Sequence, residues 1–300
     1  MNTQQLEYVI AIAEEKNLSK AAEKLFVTQP AISQQLKKLE EELQTKLFYK
    51  DKNDYLLTDA GRIYVNGAQY ILSLYSSALK EIENLNYSGK KKLTVIYRND
   101  LLPAISKEVL PSLAELHENI FIDTIDADGY IAKDYVINGM ADLAVMVTKE
   151  LSHSMLEYIP LRRENLVLAV PDNHHCLNQN YKNGLDVSCF LNDSFILNPA
   201  KSTFRTCENE IFSSWQFTPS ILCESNDLTV TKHMVGCRKG IAFLPESMWE
   251  KESNYVCLPL THPAAFYLVI AYRKSSILSK PVKDLIKLLL KACDNTERRI

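Results

Sequence analysis

Residues 29 to 38 bring amide, hydroxyl and ammonium groups together at helical spacing, a combination suited to contacting DNA. Glutamine can read adenine through two hydrogen bonds, serine and proline can contact a base edge or a thymine methyl group, and lysine neutralises phosphate. A helical wheel predicts that these groups lie on one side of a helix or on its flanks. The candidates for contact with DNA are Gln29, Pro30, Ser33, Gln34, Lys37 and Lys38.

The neighbouring residues predict the elements that would position this face. The other side of the helix has an apolar stripe of Ile32, Leu36, Leu39 and Leu43. A shorter helix precedes it with Ser19 as its predicted N-cap, and Thr28 with Pro30 begins the second helix. We therefore predict a helix-turn-helix whose second helix enters the major groove. The alternative is an ordinary helical hairpin with a solvated outer face.

Both flanks extend the same unit. Upstream, residues 2 to 13 predict a leading helix capped by Asn2. Downstream, residues 46 to 58 place two apolar clusters around a polar tip, which predicts a two-stranded wing. Its polar residues Lys50, Lys52 and Asn53 would then lie near the DNA backbone or the minor groove.

A long helix is predicted from Thr58 to about Asn86. Its apolar residues alternate steps of three and four, a heptad seam that is typical of paired helices. The seam consists of Gly61, Tyr64, Ala68, Ile71, Tyr75, Ala78, Ile82 and Leu85. Pairing would place two recognition helices about one DNA turn apart. The alternative is a helix that packs on the core of its own chain.

Composition limits the classes of function. A chain of 300 residues, 46% of them hydrophobic, predicts about two domains. The net charge is −3, and residues 1 to 58 have eight lysines against nine acids, so binding to DNA must depend on where the lysines lie. No apolar run is long enough to span a membrane, and we expect no secretory signal. Seven scattered cysteines without a Cys-x-x-Cys motif predict reduced thiols in the cytoplasm.

After Lys92, predicted strands and helices alternate, which predicts a parallel sheet with helices on both faces. The predicted strands are 93–97, 120–125, 142–147, 166–170, 195–197, 220–223, 241–244 and 266–272. The predicted helices are 101–118 with a kink at Pro111, 130–138, 203–215, 227–238 with Gly240 as its C-cap, and 281–292. We predict lobe I in residues 91–162 and 268–300 and lobe II in 163–267, with a hinge and a cleft between them.

The chain resembles the LysR-type transcriptional regulators over about sixty N-terminal residues. The matching residues are Gln5-Leu6, Ala21-Ala22-Glu23-Lys24-Leu25, Thr28-Gln29-Pro30-Ala31-Ile32-Ser33, Leu39-Glu40, Leu47-Phe48 and Leu57-Thr58-Asp59-Ala60-Gly61. Residues 139–145 and 240–245 match the family's effector domain less tightly. The family often has arginine near Gln34 and in the wing, where Lys52 and Asn53 stand here, and these departures bear on operator preference.

The resemblance implies an all-α, winged helix-turn-helix N-terminal domain in residues 1–58 and a dimerising linker helix in 59–88. It also implies a two-lobed α/β effector-binding domain, like the periplasmic binding proteins, in 89–300. The expected function is transcriptional regulation. The expected partners are double-stranded promoter DNA, a small-molecule effector and further copies of the chain, as a homodimer or homotetramer, with no membrane.

Ligands of such folds lie at the carboxyl ends of strands, near helix N-termini. Loops 98–100, 126–130, 148–149 and 201–204 meet this rule. The candidates for effector binding are Arg98, Asn99, Asp100, Thr148, Lys201, Ser202 and Thr203. Arg98 and Lys201 would suit an anionic effector, whereas Asp100 would repel a carboxylate, so the effector's charge stays open. The alternative is that these residues are ordinary helix caps and surface charges.

Three other functions compete with this interpretation. A small-molecule binding protein would use residues 1–86 only for assembly, and Cys207 with Cys223 raise the possibility of a redox sensor. An enzyme is disfavoured because no nucleophile elbow, phosphate loop or dinucleotide fingerprint is present, and for the same reason we expect no cofactor. The cluster 174–176, His-His-Cys, has no second ligand pair, so it predicts a surface loop rather than a zinc site.

Overall fold

The computed structural model of the chain describes residues 3–52, 54–84, 90–178, 187–249 and 254–297. It divides into two units, Met1–Asn86 with Ile137–Met140 and Tyr87–Val136 with Ala141–Ile300. Within the described ranges, no helix is long and apolar enough to cross a lipid bilayer.

Three helices, a two-stranded wing and a long helix form the first unit, in the predicted order. They are α1 (Thr3–Glu15), α2 (Leu18–Lys24), α3 (Gln29–Glu42), β1 (Phe48–Asp51), β2 (Asp54–Leu57) and α4 (Asp59–Asn84). The stripe residues Ile32, Leu36 and Leu39 are buried against apolar residues of α1. Leu43 was predicted to join them but is 42% exposed, because α3 ends there and Leu43 is its C-cap.

The helix caps differ from the prediction at two positions. Ser19 is not the N-cap of α2, because the Oδ1 atom of Asn17 accepts the backbone N–H groups of Ser19 and Lys20 at 2.9 and 3.2 Å. Thr28 stands at the N-cap position of α3, but its side chain makes no capping hydrogen bond. Pro30 lies in the first turn of α3, as predicted. Asn2 lies outside the described residues.

A buried carboxylate holds the start of the wing against α3. Glu40 is 7% exposed, and its Oε1 atom accepts the backbone N–H groups of Leu47 and Phe48 at 2.9 and 3.3 Å. Its other oxygen pairs with Lys46 at 2.6 Å. On the next helix, a Cβ atom at Gly61 would lie 2.0 Å from the carbonyl oxygen of Leu47, so only glycine permits this approach. These two residues determine where the wing leaves the helices.

One mixed sheet forms the centre of the second unit. Its strands are β3 (Lys91–Tyr97), β4 (Ile120–Ile125), β5 (Leu143–Thr148), β6 (Leu156–Pro171), β7 (Ser194–Leu197), β8 (Ser220–Glu224), β9 (Ile241–Pro245), β10 (Tyr255–Leu258) and β11 (Ala265–Arg273). The α-helices are α5 (Leu110–Leu116), α6 (Gly129–Ile137), α7 (Thr203–Trp215), α8 (Leu228–Gly236) and α9 (Lys280–Glu297). The strand order is β4-β3-β5-β11-β6-β9-β7-β8, and β10 pairs with β6.

The prediction of a parallel sheet was wrong for the middle of this sheet. Strand β6 pairs antiparallel with β11 along residues 156–165 and with β9 and β10 along 166–171. Since β11 brings the chain back from the second lobe to the first, it runs opposite to β5 as well. The other pairs, β3 with β4 and β5 and β7 with β8 and β9, are parallel. The predicted lobe limits, 162/163 and 267/268, fall inside β6 and β11.

Two helices depart from the prediction in detail. The helix predicted at 101–118 contains a π-helical turn, Ile105–Val109, before α5, and Pro111 lies in the first turn of α5. Helix α8 ends at the C-cap Cys237, and Arg238 adopts a φ of 61°. Gly240 therefore does not cap α8. A Cβ atom there would lie 2.5 Å from the carbonyl oxygen of Ser194, so the glycine allows β9 to approach that backbone.

Candidate nucleic-acid interface and ligand cavity

The polar face of α3 is exposed, as its spacing predicts. Pro30, Gln34 and Lys37 lie opposite the buried stripe and are all exposed. Gln29 and Lys38 are exposed beside them, and Ser33 is half-buried. The side chains that would read DNA are therefore not used in the core of the unit. Their contact with DNA stays a prediction.

The ammonium group of Lys37 on this face is available for contact with phosphate. The Nζ atom of Lys37 lies 3.8 Å from the Oε1 atom of Glu41, and both side chains are largely exposed. Such a pair contributes little to stability, so phosphate can compete for the lysine. The exposed hydroxyl of Thr28 lies at the N-terminus of the same helix, where the dipole favours anions. Since its side chain makes no capping hydrogen bond, its position suits contact with a phosphate.

The wing presents further lysines. Strands β1 and β2 pair antiparallel, with Lys50 opposite Tyr55 and Asp51 opposite Asp54. Lys50 and Lys52 are exposed, and Lys52 lies in the turn with a φ of 54°. Asn53, the third predicted contact, lies outside the described residues. The exposed Lys50 and Lys52 are thus accessible for contact with a DNA backbone, next to the carboxylates of Asp51 and Asp54.

Helix α4 exposes a run of large apolar side chains. Of the predicted seam, Ile71, Tyr75, Ala78 and Ile82 are exposed, whereas Gly61 and Ala68 are buried. Further exposed apolar residues are Ile63, Tyr70, Leu74 and Leu79. Leu85 lies outside the described residues. A contiguous apolar surface of this kind is typical of an interaction site.

In the second unit, a cavity of about 940 Å³ opens between the two lobes. The first lobe contributes the predicted residues Arg98, Asn99 and Asp100, together with residues 101–104, 107 and 126–128. Arg162 lies where β6 crosses between the lobes, and the second lobe contributes Asn226, Asp227, Thr229, Lys232, Ser247 and Met248. This second wall was not predicted from the sequence. The rule that ligands bind near helix N-termini could have found it, because residues 226 and 227 directly precede α8.

Arg98 is the centre of a buried polar cluster on one side of the cavity. Its guanidinium donates to the Asp100 carboxylate through Nε, at 3.0 Å, and through Nη2. It also donates to the Oδ1 atom of Asp128, at 3.2 Å, and to the carbonyl oxygen of Asn226. The Oδ2 atom of Asp100 in turn accepts the backbone N–H of Leu228 at 3.0 Å. These contacts connect the two lobes directly.

A further carboxylate lines the cavity beside this cluster. Partial burial raises the pKa of Asp126, and the negative charges of Asp100 and Asp128 add to the rise, whereas Arg98 opposes it. This edge of the cavity is therefore rich in negative charge.

The other predicted effector residues do not line this cavity. Ser202 is buried and caps α7 by accepting the N–H of Phe204, and the hydroxyl of Thr203 donates to the Val147 carbonyl at 3.2 Å. Both border a space of about 10 Å³ only. Thr148 donates to the Glu150 carbonyl, and Lys201 is exposed. Ser202 is therefore a helix cap, and Thr148 and Thr203 donate to backbone carbonyls. A role of these residues and of Lys201 in effector binding stays a prediction.

The histidine cluster is more buried than predicted. The Nδ1 atom of His174 lies 2.8 Å from the Cys176 sulfur, and its Nε2 atom lies 3.1 Å from both carboxylate oxygens of Asp193. Cys176 is fully buried, so the prediction of a surface loop was wrong for these two residues and right for the exposed His175. In the described part of the chain, no group of three such ligands could hold a metal ion.

The two cysteines that suggested a redox sensor have separate surroundings. Cys207 is buried in α7, and burial raises the pKa of its thiol to about 11. Cys223 lies on β8 against the sulfur of Met234. A buried thiol with a raised pKa is mostly protonated at neutral pH, which favours the interpretation of Cys207 as a small core residue.

Comparisons with protein-family models cover most of the chain. Residues 3–62 match the model described as "Bacterial regulatory helix-turn-helix protein, lysR family". Residues 94–294 match the model described as "LysR substrate binding domain".

Individual proteins match over similar lengths. A probable RuBisCO transcriptional regulator of Trieres chinensis is 31% identical over 257 residues, which cover 83% of this chain and 82% of that protein. The regulator BenM of Acinetobacter baylyi is 25% identical over 88% of this chain and 87% of its own length. The solved structure of full-length BenM covers 99% of this chain and 98% of its own, with 23% identity and a TM-score of 0.56. HinK of Pseudomonas aeruginosa gives a TM-score of 0.54 at 22% identity and also covers 99% of this chain and 98% of its own.

Proposed function

Since this chain belongs to the LysR family of transcriptional regulators, we propose that it binds a two-fold symmetric promoter site through α3 and the wing. Regulators of this family bind promoter DNA and small-molecule effectors and are typically oligomeric. The observation that supports the proposed DNA contact most strongly is the exposed polar face of α3, opposite a buried stripe. We propose that the chain has no catalytic activity and acts in the cytoplasm.

In this proposal Gln34 and Ser33 contact base edges, and Gln29 and Pro30 contact the groove at the start of the helix. Lys37 and Lys38, with Lys50, Lys52 and Asn53 of the wing, neutralise phosphates. Because residues 1 to 58 carry more acids than lysines, we expect only moderate affinity for random DNA. Backbone amides and the doubled site of an oligomer would add to the affinity for the promoter site. The exposed apolar side chains of α4 support pairing of two such helices, in a homodimer or within a homotetramer.

Two substitutions on α3 separate base reading from phosphate contact. Gln34→Ala is expected to relax preference at one base pair per half-site, with a loss of about 1–3 kcal/mol for the preferred base. Lys37→Ala is expected to weaken binding to all sequences alike and to reduce the slope of log K against log salt by about one for each phosphate that the lysine would have neutralised. Gel-shift titrations against single-base operator variants at several salt concentrations measure both effects.

Lys291→Ala is the matched control, since this exposed lysine lies on α9 in the other unit. It is expected to change neither base preference nor salt slope. If the Gln34 and Lys37 variants behaved identically, the assignment of the DNA-contacting face would be wrong.

We propose that an effector acts by changing the angle between the lobes at the β6 and β11 crossings. A ligand that binds one lobe arrangement better than another shifts the population towards it, and the linker helices transmit this change to the spacing of the recognition helices. Adding a small molecule that stabilises the chain in a thermal-shift screen is therefore expected to change the length of the DNA footprint. A constant footprint with every stabilising ligand would contradict this mechanism.

A further inference from the structure

We propose that Asp100 determines the charge specificity of the inter-lobe cavity: it occupies the anion position with the protein's own carboxylate and leaves the cavity selective for ligands that carry a protonated amine. This inference rests on the proposed function only in treating the cavity as the effector site.

The donors around Asp100 form a complete carboxylate site. The Nε and Nη2 atoms of Arg98 donate to its two oxygens, which is the two-pronged geometry that arginine uses for carboxylates. The third donor is the backbone N–H of Leu228, the first residue of α8, at 3.0 Å. A helix N-terminus favours an anion at this place. An anionic ligand bound at this point of the cavity would need these same donors, and Asp100 already uses them.

The guanidinium of Arg98 is also occupied by other partners and is poorly accessible to a second anion. Its side chain is 9% exposed, and its remaining contacts are with the carboxylate of Asp128 and the carbonyl oxygen of Asn226. A ligand carboxylate would have to displace Asp100 and would then meet the negative charge of Asp128. Displacement would also break the link that Asp100 makes to α8 in the other lobe.

Asp126 adds a further negative charge to this edge of the cavity. Three carboxylates, those of residues 100, 126 and 128, gather near the single guanidinium of Arg98. Asp126 lines the cavity, and within the described ranges it has no hydrogen-bond or ion-pair partner. A protonated amine supplies the opposite charge that this edge of the cavity lacks.

The basic residues of the cavity walls are compatible with such a ligand. Arg162 is held by the buried Glu164 at 2.5 Å. Lys107 and Lys232 line the cavity on separate helical segments and can accommodate a ligand that carries a carboxylate in addition. In such a ligand, the protonated amine lies beside Asp126.

The test uses the full chain and two probe pairs of matched skeleton, 1,4-diaminobutane with succinate and benzylamine with benzoate, at equal ionic strength. Thermal shift and calorimetry give Kd for the wild type, Asp100→Asn, Asp100→Ser and Asp126→Asn. For both Asp100 variants, the Kd of the carboxylates is expected to be lower than that of the wild type by a factor of about ten or more. The reason is that a like charge is removed and the donors of Arg98 and Leu228 are freed. Asp126→Asn is expected to weaken binding of the amines.

Asp123→Asn is the control and should alter no preference, because Asp123 lies on β4, outside the cavity, and pairs with Lys92 on β3. Asp100→Ser provides a second test of the same position if Asp100→Asn disturbs the fold. The proposal is overturned if the wild type binds the carboxylates as tightly as the Asp100 variants do, or if Asp126→Asn binds the amines as tightly as the wild type. A gel shift with promoter DNA on the same samples tests the proposed function separately, because its failure would leave these ligand preferences unchanged.

Discussion

Replacing Arg98 by alanine is expected to lower the free energy of unfolding of the second unit by about 3–5 kcal/mol. The reason is that its two carboxylate partners would stay buried without a counter-charge. Asp100 and Asp128 are largely buried, and removal of the guanidinium leaves two carboxylates together without their counter-charge. Urea unfolding followed by circular dichroism measures the loss.

Two further variants identify the cause of this loss. Lys287→Ala removes an exposed ion pair with Asp284 in the same unit and is expected to change the free energy of unfolding by less than about 0.5 kcal/mol. Adding Asp100→Asn and Asp128→Asn to Arg98→Ala should recover part of the stability, because the stranded charges are gone. A triple variant no more stable than the single one would show that lost packing, rather than unpaired charge, dominates.

The second large effect concerns Glu208, a carboxyl group in the interior of α7. Its side chain is completely buried and accepts the backbone N–H of Asn198 at 3.1 Å and its side-chain amide at 2.8 Å. Burial raises the pKa of Glu208 from 4.5 to about 7, although the Asn198 hydrogen bonds and the charge of Arg205 oppose the rise. The folded chain thus keeps a proton that the unfolded chain releases.

The direction of the resulting pH dependence follows from linkage. The stabilising contribution of the protonated group is complete below pH 4.5 and is lost as the pH rises towards 7. The loss is about 3 kcal/mol across this window. Glu208→Gln cannot titrate, so the free energy of unfolding of the variant relative to the wild type should improve by about that amount between pH 4.5 and pH 8.

The exposed Glu210 on the same helix supplies the matched control. Glu210→Gln removes a surface pair with Lys149 and should differ from the wild type by a small amount that hardly changes with pH. A Glu208→Gln variant whose stability relative to the wild type stayed constant from pH 4.5 to pH 8 would rule out a titrating Glu208.

The first unit could be predicted from the sequence because its determinants are local. The stripe from Ile32 to Leu39 and the polar face from Pro30 to Lys37 lie on one helix, so periodicity alone assigns their sides. The N-cap of α2 could not be assigned in this way, since Asn17 and Ser19 are both good capping residues two positions apart. Glu40 was missed as well, because its hydrogen-bond donors are backbone groups in the wing.

The second unit was predicted less well because its determinants are distant in sequence. The residues from Leu156 to Asn165 interrupt their apolar pattern with Pro160, two arginines and two glutamates, so the first part of β6 was not recognised. Alternation of strands and helices does not reveal that β11 returns antiparallel. The contact from Arg98 to Asn226 spans 128 positions, and local pattern gives no sign that Asp100 would occupy the guanidinium.

In vitro selection of DNA from a random library by the full chain tests the central claim, that the outward face of α3 reads promoter DNA. The expected result is enrichment of an inverted repeat with half-sites about one helical turn apart. The same selection with Gln34→Ala should lose preference at one position of each half-site while keeping the spacing. Failure to enrich any sequence, or an unchanged preference with Gln34→Ala, would contradict the account.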